Sequence, residues 1–394
     1  MSALRIAVIG DRFMKADFFT QALQAALPGH ALDLRTFKLV DQTSGRTLGL
    51  RADTTPQAAR IDAHLLNREG VTRLCYCGPV LHARATSVTA SREPLQFGAE
   101  IFGHAGLEAD LEATELALDC LEAAGARPLV IDLADARVLR GVLAGVAADG
   151  AALQNLAQAL AEKDAAALED LTRGLPAEAA GALRALPRLY GGDEVLDAAA
   201  AALPARPLVR RALDDLQWLA SHLRRAFPSL RVGFDLGDMG GCGYYSGPRF
   251  AVFGAAATDA LARGGRYDEV GAVFGRNRPA VGFSLDLKAL AEVAPERAVA
   301  GAIRAPWSED AALRAAVRRL RESGETVLTV LPGDVPEAQA FVCDRELVEV
   351  GGRWVLQAMA AAASAGGGST ALSAPSSTAP PSRPAPAAAI EHSR

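Results

Sequence analysis

A long stretch in the middle of the chain constrains the fold more than any other feature. Between Val138 and Ser229, alanine, leucine and interspersed charged residues fill most positions, and no segment reads convincingly as a strand. Such residues favour helices, so the stretch predicts a helical block. Strand-like segments precede and follow it. We therefore expect an α+β fold: an antiparallel sheet flanked by helices, with a helical insertion at about 138–229.

The segments around this insertion follow strand and helix patterns in turn. Thr36–Val40 and Arg46–Leu50 flank a polar turn and predict a β-hairpin. At Thr54, Thr55 and Pro56 the chain has a capping residue just before a proline at the first helical position, which predicts the start of a helix. This helix is expected to run to about Arg68.

Apolar runs and helical spacing predict the other elements of this region. Five further strands are expected at Leu74–Val80, Leu95–Phe102, Leu129–Leu133, Arg231–Leu236 and Phe250–Phe253. The first two should pair antiparallel through a long loop. Two more helices are expected, one marked by Leu111, Leu118 and Leu121 and one over about Ser284–Glu292.

The two ends of the chain differ from this central pattern. Met1–Asp33 resembles an opening strand and helix of a dinucleotide-type fold, but Gly10 stands alone where a glycine-rich fingerprint would be needed. We therefore assign 1–33 to an atypical segment, 34–298 to the core and 299–359 to a small α/β module. The tail, 360–394, is rich in alanine, serine, glycine and proline and is expected to be disordered.

Charge, hydropathy and cysteine usage exclude several classes of protein. The 41 basic and 46 acidic residues give a net charge of −5, which argues against nucleic acid as a partner. No apolar run approaches the roughly 20 residues that span a membrane. The five cysteines are odd in number and scattered, without a disulfide framework or a zinc spacing. We expect a cytoplasmic protein with no bound metal.

Four clusters that mix charged, small and aromatic residues could form a site for a small molecule: 50–55, 96–100, 243–245 and 263–268. Gln96, Gly98 and Glu100 share one face of a predicted strand, since side chains alternate along strands. A carboxylate pair such as Asp53 and Glu100 would hold an ammonium group. The alternative is that Glu100 is a solvated strand residue, and composition alone favours that alternative.

Longer motifs point to a family. The stretches RTFKLVDQTSGRTLGLRADTTPQAARIDAHLL and REPLQFGAEIFGHAG, between Arg35 and Gly106, resemble the histidyl-tRNA synthetase-like catalytic core. RGGRYDEVGAVFGRNRPAVGFSLDLKAL, from Arg263 to Leu290, belongs to the same resemblance. Within that group the chain is most similar to the regulatory subunits of ATP phosphoribosyltransferase. The resemblance covers about Leu34–Met359.

The resemblance implies a class II aminoacyl-tRNA synthetase-like sheet and a pocket for histidine. Asp53 and Thr55 take the positions that face the amino group, and Asp53 stands where the synthetases usually have glutamate. Gln96 and Glu100 lie beside them. The remaining site residues, on the imidazole side, are Tyr245 and Tyr267.

The resemblance also locates the positions of three arginines with which the synthetases bind ATP. This chain has His82, Gly240 and Ala289 there. Loss of one transition-state donor can cost about 100- to 1000-fold in rate, so we expect no useful histidine activation. The alternative is a histidine-activating enzyme in which Arg84 and Lys288 substitute, although shifted positions redirect a side chain.

The family therefore implies a non-catalytic regulatory subunit without a cofactor. Such a subunit pairs with a short-form ATP phosphoribosyltransferase catalytic subunit in a hetero-oligomer, enables its activity and transmits inhibition by histidine. The family normally opens with a long helix and a strand at a dimer interface. Met1–Asp33 departs from that pattern.

Overall fold

The chain divides into two compact units in the computed structural model. The structure describes residues 34–45, 47–85, 90–147, 150–238, 244–295, 301–333 and 342–359. The first unit is Met1–Glu296 and the second is Arg297–Arg394. The predictions for residues 1–33 and for the tail, 360–394, lie outside the described residues.

An eight-stranded sheet and a small hairpin form the frame of the first unit. The hairpin strands are β1 (Lys38–Val40) and β2 (Thr47–Gly49). The sheet strands are β3 (Thr72–Pro79), β4 (Leu95–Phe102), β5 (Leu129–Asp135), β6 (Tyr190–Gly191), β7 (Arg231–Asp235), β8 (Pro248–Gly254), β9 (Ala262–Arg266) and β10 (Ala280–Asp286).

Nine helices of this unit are described. They are α1 (Thr55–Arg60), α2 (Leu107–Ala123), α3 (Ala136–Val142), α4 (Gly150–Ala161), α5 (Ala165–Leu171), α6 (Ala177–Ala185), α7 (Glu194–Ala202), α8 (Pro207–Ala226) and α9 (Leu287–Val293). A π-helical turn, Ile61–Leu66, extends α1 directly.

The sheet order is β3-β4-β10-β9-β8-β5-β7-β6, and every neighbouring pair is antiparallel except β5 and β7. This arrangement confirms the expected α+β fold with an antiparallel sheet flanked by helices. The predicted pairing of β3 with β4 is also confirmed. The two faces differ: α2 and α8 cover the larger hydrophobic cluster, while α1 covers a smaller one that includes Tyr76 and Tyr267.

The predicted helical insertion lies between β5 and β7. Helices α3–α8 fill it, and its apolar residues join the larger hydrophobic cluster. One detail of the prediction is wrong, because Tyr190–Gly191 forms the short strand β6 and pairs with β7. Two residues are too few to show a strand pattern in sequence.

Two predictions near the carboxyl end of the first unit also need correction. The expected helix over about Ser284–Glu292 begins only at Leu287, because Ser284–Asp286 completes β10 between β4 and β9. Asp286 ends the strand and caps the helix by accepting a hydrogen bond from the Lys288 N–H at 3.0 Å. Strand β9 was not predicted, because its glycines favour a turn.

Helix α1 begins at Thr55, one residue before the proline that was predicted to open it, and the predicted side-chain cap does not form. Thr54 precedes the helix without making a side-chain capping bond, and its hydroxyl is buried without a hydrogen-bond partner. The Asp53 carboxylate instead accepts from the Thr55 N–H at 3.1 Å. Asp53 is therefore held in a fixed position at the start of the helix.

The second unit is the small α/β module that the sequence predicts. Its elements are β11 (Ala302–Pro306), α10 (Ala311–Glu322), β12 (Val327–Val330), β13 (Cys343–Val350) and β14 (Arg353–Ala358), in the sheet order β12-β11-β13-β14. Leu313 and Ala316 of α10 pack on Ile303 and Leu347 of the sheet. Asp310 caps α10 by accepting from two backbone N–H groups.

Candidate functional site

The floor of the candidate site is the face of β4 that α1 covers. Gln96, Gly98 and Glu100 lie on this face, as the alternation predicts. Gly98 pairs with Tyr76 of β3, and Glu100 pairs with Gly282 of β10. A Cβ on Gly282 would overlap the Glu100 carboxylate and lie 2.5 Å from the carbonyl oxygen of Ala99. The side chain of Glu100 therefore needs glycine beside it.

Three hydroxyl groups surround the carboxylate of Glu100, which is only 1% exposed. Thr55 Oγ1 and Tyr76 Oη donate to Glu100 Oε1 at 2.9 and 3.0 Å. Tyr267 Oη donates to Glu100 Oε2 at 2.5 Å. Among the described residues no lysine or arginine forms an ion pair with it. The alternative of a solvated strand residue is therefore wrong for Glu100.

Burial dominates the electrostatics of this carboxyl group. Desolvation raises the pKa of Glu100 to about 8, although the three hydroxyl donors pull it down. Burial, followed by the nearby charge of Glu100, also raises the pKa of Tyr76 and Tyr267 well above the ordinary value. The tyrosines therefore act as neutral donors, and a cation bound here would complete the site by favouring the ionised carboxylate.

A second carboxylate, that of Asp53, is connected to Glu100 by hydrogen bonds through Thr55. Gln96 Nε2 donates to Asp53 Oδ1 at 2.9 Å, and Gln96 Oε1 accepts from the Thr54 N–H at 2.9 Å. Thr55 thus contacts Asp53 through its backbone and Glu100 through its hydroxyl. With Tyr267, which donates to Glu100, the structure brings five of the six predicted site residues together in one hydrogen-bonded group.

The aromatic side of the site differs in part from the sequence-based assignment. Tyr267 bonds Glu100 directly, and Tyr244 stacks on it with ring centroids 5.2 Å apart. Tyr245 meets the edge of Tyr244 and lies 5.6 Å beneath the guanidinium of Arg249. Sequence reasoning missed Tyr76 and did not choose Tyr244, although Tyr244 lies beside Tyr245 in the same motif.

An ion pair behind the site holds the end of β9. Arg266 and Asp110 are both buried, and the Arg266 Nε donates to the two carboxylate oxygens at 3.2 and 3.1 Å. The same guanidinium donates to the carbonyl oxygens of His104 and Gly106. Arg266 directly precedes Tyr267, so this pair fixes the strand end from which Tyr267 reaches Glu100.

The positions of the missing arginines carry no phosphate-binding cation where the structure describes them. Burial and the charge of Arg35 lower the pKa of His82, which favours its neutral form. Ala289 is exposed on α9, and the neighbouring Lys288 donates to the carbonyl oxygen of Glu93 at 2.6 Å. Gly240 lies outside the described residues.

The described residues contain neither a metal-binding cluster nor a membrane-spanning helix. No group of three or more histidine, cysteine or acidic residues is arranged to hold a metal ion there. No helix among them combines the length and apolar character needed to cross a bilayer. The four described cysteines, Cys75, Cys77, Cys120 and Cys343, are free thiols.

Two family models divide the chain at about the boundary between the structural units. The histidyl-tRNA synthetase model matches residues 17–290, so the match begins inside the segment that was expected to be atypical. The model of the ATP phosphoribosyltransferase subunit HisZ C-terminal domain matches residues 300–357.

Solved structures share the fold. An ATP phosphoribosyltransferase regulatory subunit/histidyl-tRNA synthetase from Bacillus halodurans is 26% identical, with a TM-score of 0.71, and the match covers 85% of this chain and 87% of that one. Chains of the ATP phosphoribosyl transferase (HisG:HisZ) complex from Thermotoga maritima match at 17% identity with a TM-score of 0.53, over 72% of this chain and 92% of that one. The second likeness supports the fold alone.

Curated relatives are closer in sequence. An ATP phosphoribosyltransferase regulatory subunit from Verminephrobacter eiseniae is 60% identical over 84% of this chain and 86% of its own length. The protein of the same name from Variovorax paradoxus is 60% identical over the same shares. At this identity and coverage, the chain belongs to the family of ATP phosphoribosyltransferase regulatory subunits.

Proposed function

We propose that this chain binds free L-histidine in the pocket around Glu100 and acts in the cytoplasm as the regulatory partner of a short-form ATP phosphoribosyltransferase catalytic subunit. In a hetero-oligomer it enables the first step of histidine biosynthesis and passes on feedback inhibition by histidine. Family membership supports the regulatory role, and the contacts within the pocket support the ligand.

The carboxylate of Glu100 carries the proposal. Buried carboxylates are normally paired with a cation, because an unpaired buried charge is costly. Glu100 instead has three hydroxyl donors and no cation among the described residues. A ligand that supplies a positive charge or a strong N–H donor would compensate for its burial, and histidine supplies both kinds of group.

The arrangement of the site suggests how histidine lies in it. The ammonium group binds at the Asp53 carboxylate, beside Gln96, whose amide nitrogen donates to the same carboxylate. The imidazole lies towards the ring of Tyr267 and donates an N–H to Glu100. Tyr244, stacked on Tyr267, closes the aromatic side. Charge-assisted hydrogen bonds to the ammonium group and to the imidazole give the pocket its selectivity for histidine.

Activation of histidine by ATP is poorly supported by the same residues. Stabilisation of a reacting phosphate requires cations aimed at the developing charge. His82 is held in its neutral form, Ala289 has no polar group, and the ammonium of Lys288 is bonded to a main-chain oxygen. A pocket that binds the amino acid without these cations is suited to sensing.

The decisive experiment measures the activity of a short-form catalytic subunit with and without this chain across a histidine titration. We expect the chain to raise activity and histidine to lower it again. Coupling energies of about 1–3 kcal/mol are typical of allostery and correspond to a 5- to 150-fold change in apparent affinity. The proposal would be contradicted if the activity of the catalytic subunit were the same with and without this chain, or if histidine inhibited the catalytic subunit equally in its absence.

Two supporting measurements distinguish histidine binding from histidine activation by ATP. Calorimetry with histidine alone should show saturable binding to the full chain, and a Tyr190→Phe variant serves as a control because that tyrosine is exposed. Histidine-dependent exchange of pyrophosphate into ATP should stay at background. Exchange above background would establish the activating enzyme instead.

A further inference from the structure

A second polar group, formed by Arg35 and His82, lies beside the pocket. Arg35 stands three residues before β1, and its carbonyl oxygen accepts from the Ala83 N–H at 2.8 Å. Its Nη2 lies 3.0 Å from His82 Nε2 and 3.3 Å from His82 Nδ1. His82 is buried, and its Nε2 is also 3.1 Å from the carbonyl oxygen of Ala52, the residue before Asp53.

Hydrogen-bond donors and acceptors fix the state of this imidazole. A carbonyl oxygen only accepts, so the bond to Ala52 requires a proton on Nε2. Nδ1, at 3.3 Å, is then the ring nitrogen that accepts from the Arg35 guanidinium, and the shorter approach to Nε2 is a contact between two donors and no hydrogen bond. The lowered pKa of His82 agrees with this neutral tautomer. The imidazole therefore orients Arg35 without compensating its charge.

Arg35 forms no ion pair with a carboxylate among the described residues, although the Asp53 carboxylate acts on it electrostatically. Its Nε is buried without a hydrogen-bond partner, and no ion pair of Arg35 is found in that part of the chain. Neighbouring cations differ, since Arg92 donates to the His82 carbonyl oxygen and Arg51 to that of Pro79. A half-buried guanidinium with an unused donor is suited to an anionic ligand.

Asp53 is the residue of the pocket that interacts with this guanidinium. The Asp53 carboxylate acts electrostatically on both Arg35 and His82. An amino acid carries its ammonium and carboxylate groups on the same carbon atom. A ligand whose ammonium group binds Asp53 therefore has its carboxylate within reach of neighbouring donors.

We propose that Arg35, oriented by neutral His82, binds the α-carboxylate of the amino acid whose ammonium group binds Asp53; this inference rests on the proposed histidine site. A cation from the segment before β1 thus serves the pocket at the position where His82 replaces an arginine. A phosphate oxygen has the same anionic chemistry. The carboxylate is favoured because Arg35 is a single guanidinium and the cations of Arg51, Arg92 and Lys288 bond main-chain oxygens.

Calorimetry on the full chain with histidine and with histamine, which lacks the carboxylate, tests this inference. Arg35→Gln should weaken histidine binding by about 10- to 100-fold, the size expected for a hydrogen bond to a charged group. Histamine affinity should change by less than about 2-fold. Lys38→Gln, which removes a positive charge from the adjacent hairpin, should leave both affinities unchanged, and thermal unfolding should show that every variant is folded.

Each other outcome is decisive. If histidine binds normally and Arg35→Gln leaves its affinity unchanged, or weakens histamine equally, the inference is overturned and the histidine site stands. If ATP binds with an affinity that Arg35→Gln abolishes while histidine affinity is retained, the anion is a phosphate and the assignment to a carboxylate is wrong. If histidine does not bind the unaltered chain, the proposed function fails and this inference with it.

Discussion

Glu100 and Asp110 are buried carboxyl groups on opposite sides of one sheet, and they are compensated in different ways. Asp110 is paired with the guanidinium of Arg266, whereas Glu100 has only hydroxyl donors among the described residues. Burial raises the pKa of both, to about 6 for Asp110 and to about 8 for Glu100. The difference is that Asp110 has its counter-charge within the described fold, while Glu100 has none among the described residues.

The register of β10 explains why Arg266 and Glu100 face opposite sides of the sheet. Val281 pairs with Ile101 and Arg266 on one face, and Gly282 pairs with Glu100 on the other. Because the pleat alternates, the neighbours of these two consecutive β10 residues face opposite sides of the sheet, with Arg266 towards Asp110 and Glu100 towards the proposed ligand site.

The largest expected effect comes from breaking the structural pair. Arg266→Met leaves Asp110 buried without its cation and should lower the free energy of unfolding by about 3–5 kcal/mol, measured by urea denaturation. Arg73→Met is the matched control, because the pair that Arg73 forms with Glu112 is solvent-exposed and worth about 0–1 kcal/mol. Equal losses in the two variants would remove the distinction between a buried and an exposed pair.

The second effect is a pH dependence of stability. The unfolded Glu100 ionises near its ordinary pKa, whereas the folded one holds its proton to about pH 8. Between about pH 6 and 8 the unfolded state therefore binds one proton fewer, and stability should fall by about 1.4 kcal/mol per pH unit as pH rises. Asp110 contributes in the same direction only up to about pH 6.

Glu100→Gln provides the comparison for that measurement. The variant cannot ionise, so its unfolding free energy should change less between pH 6 and 8 than that of the unaltered chain. Parallel pH profiles for the two proteins would mean that Glu100 is already ionised in the folded state.

A third effect concerns the ligand. Glu100→Gln keeps the size of the side chain but removes its capacity to ionise beside a bound cation, so histidine affinity measured by calorimetry should fall by about 10- to 100-fold. Activation of the catalytic subunit in the absence of histidine should persist, because the pocket and the docking surface are expected to be separate. Equal loss of both properties would contradict this separation.

The smallest expected effect comes from a single donor. Tyr76→Phe removes the hydroxyl that bonds Glu100 and Thr55, which should raise the pKa of Glu100 and weaken histidine binding by about 2- to 10-fold. Tyr190→Phe on the exposed strand β6 should have no effect. A Tyr76 variant that binds histidine normally would show that two hydroxyls are enough.

Local patterns predicted the elements that have regular alternation or clear end signals. The spacing of Gln96, Gly98 and Glu100 identified the floor of the site, and Thr54 to Pro56 identified the start of α1. Strand β9 was missed because Gly264 and Gly265 favour a turn in isolation, and only pairing with neighbouring strands makes them extended. The end of β10 was assigned to the helix that follows it.

The remaining site residues depend on contacts that are distant in sequence. Tyr76 lies in an apolar strand and reads as an ordinary core residue until its pairing with Gly98 places its hydroxyl near Glu100. The contact between Arg35 and His82 joins residues 47 positions apart, which no spacing rule predicts.

Gly282 offers geneticists a way to disrupt the pocket without replacing any of its polar residues. Adding one methyl group there would collide with the acidic side chain opposite and with the main-chain oxygen of Ala99, so an alanine allele would displace that side chain. On the proposed function, an organism carrying the allele would lose end-product control, and overproduction of the amino acid would be its visible trait.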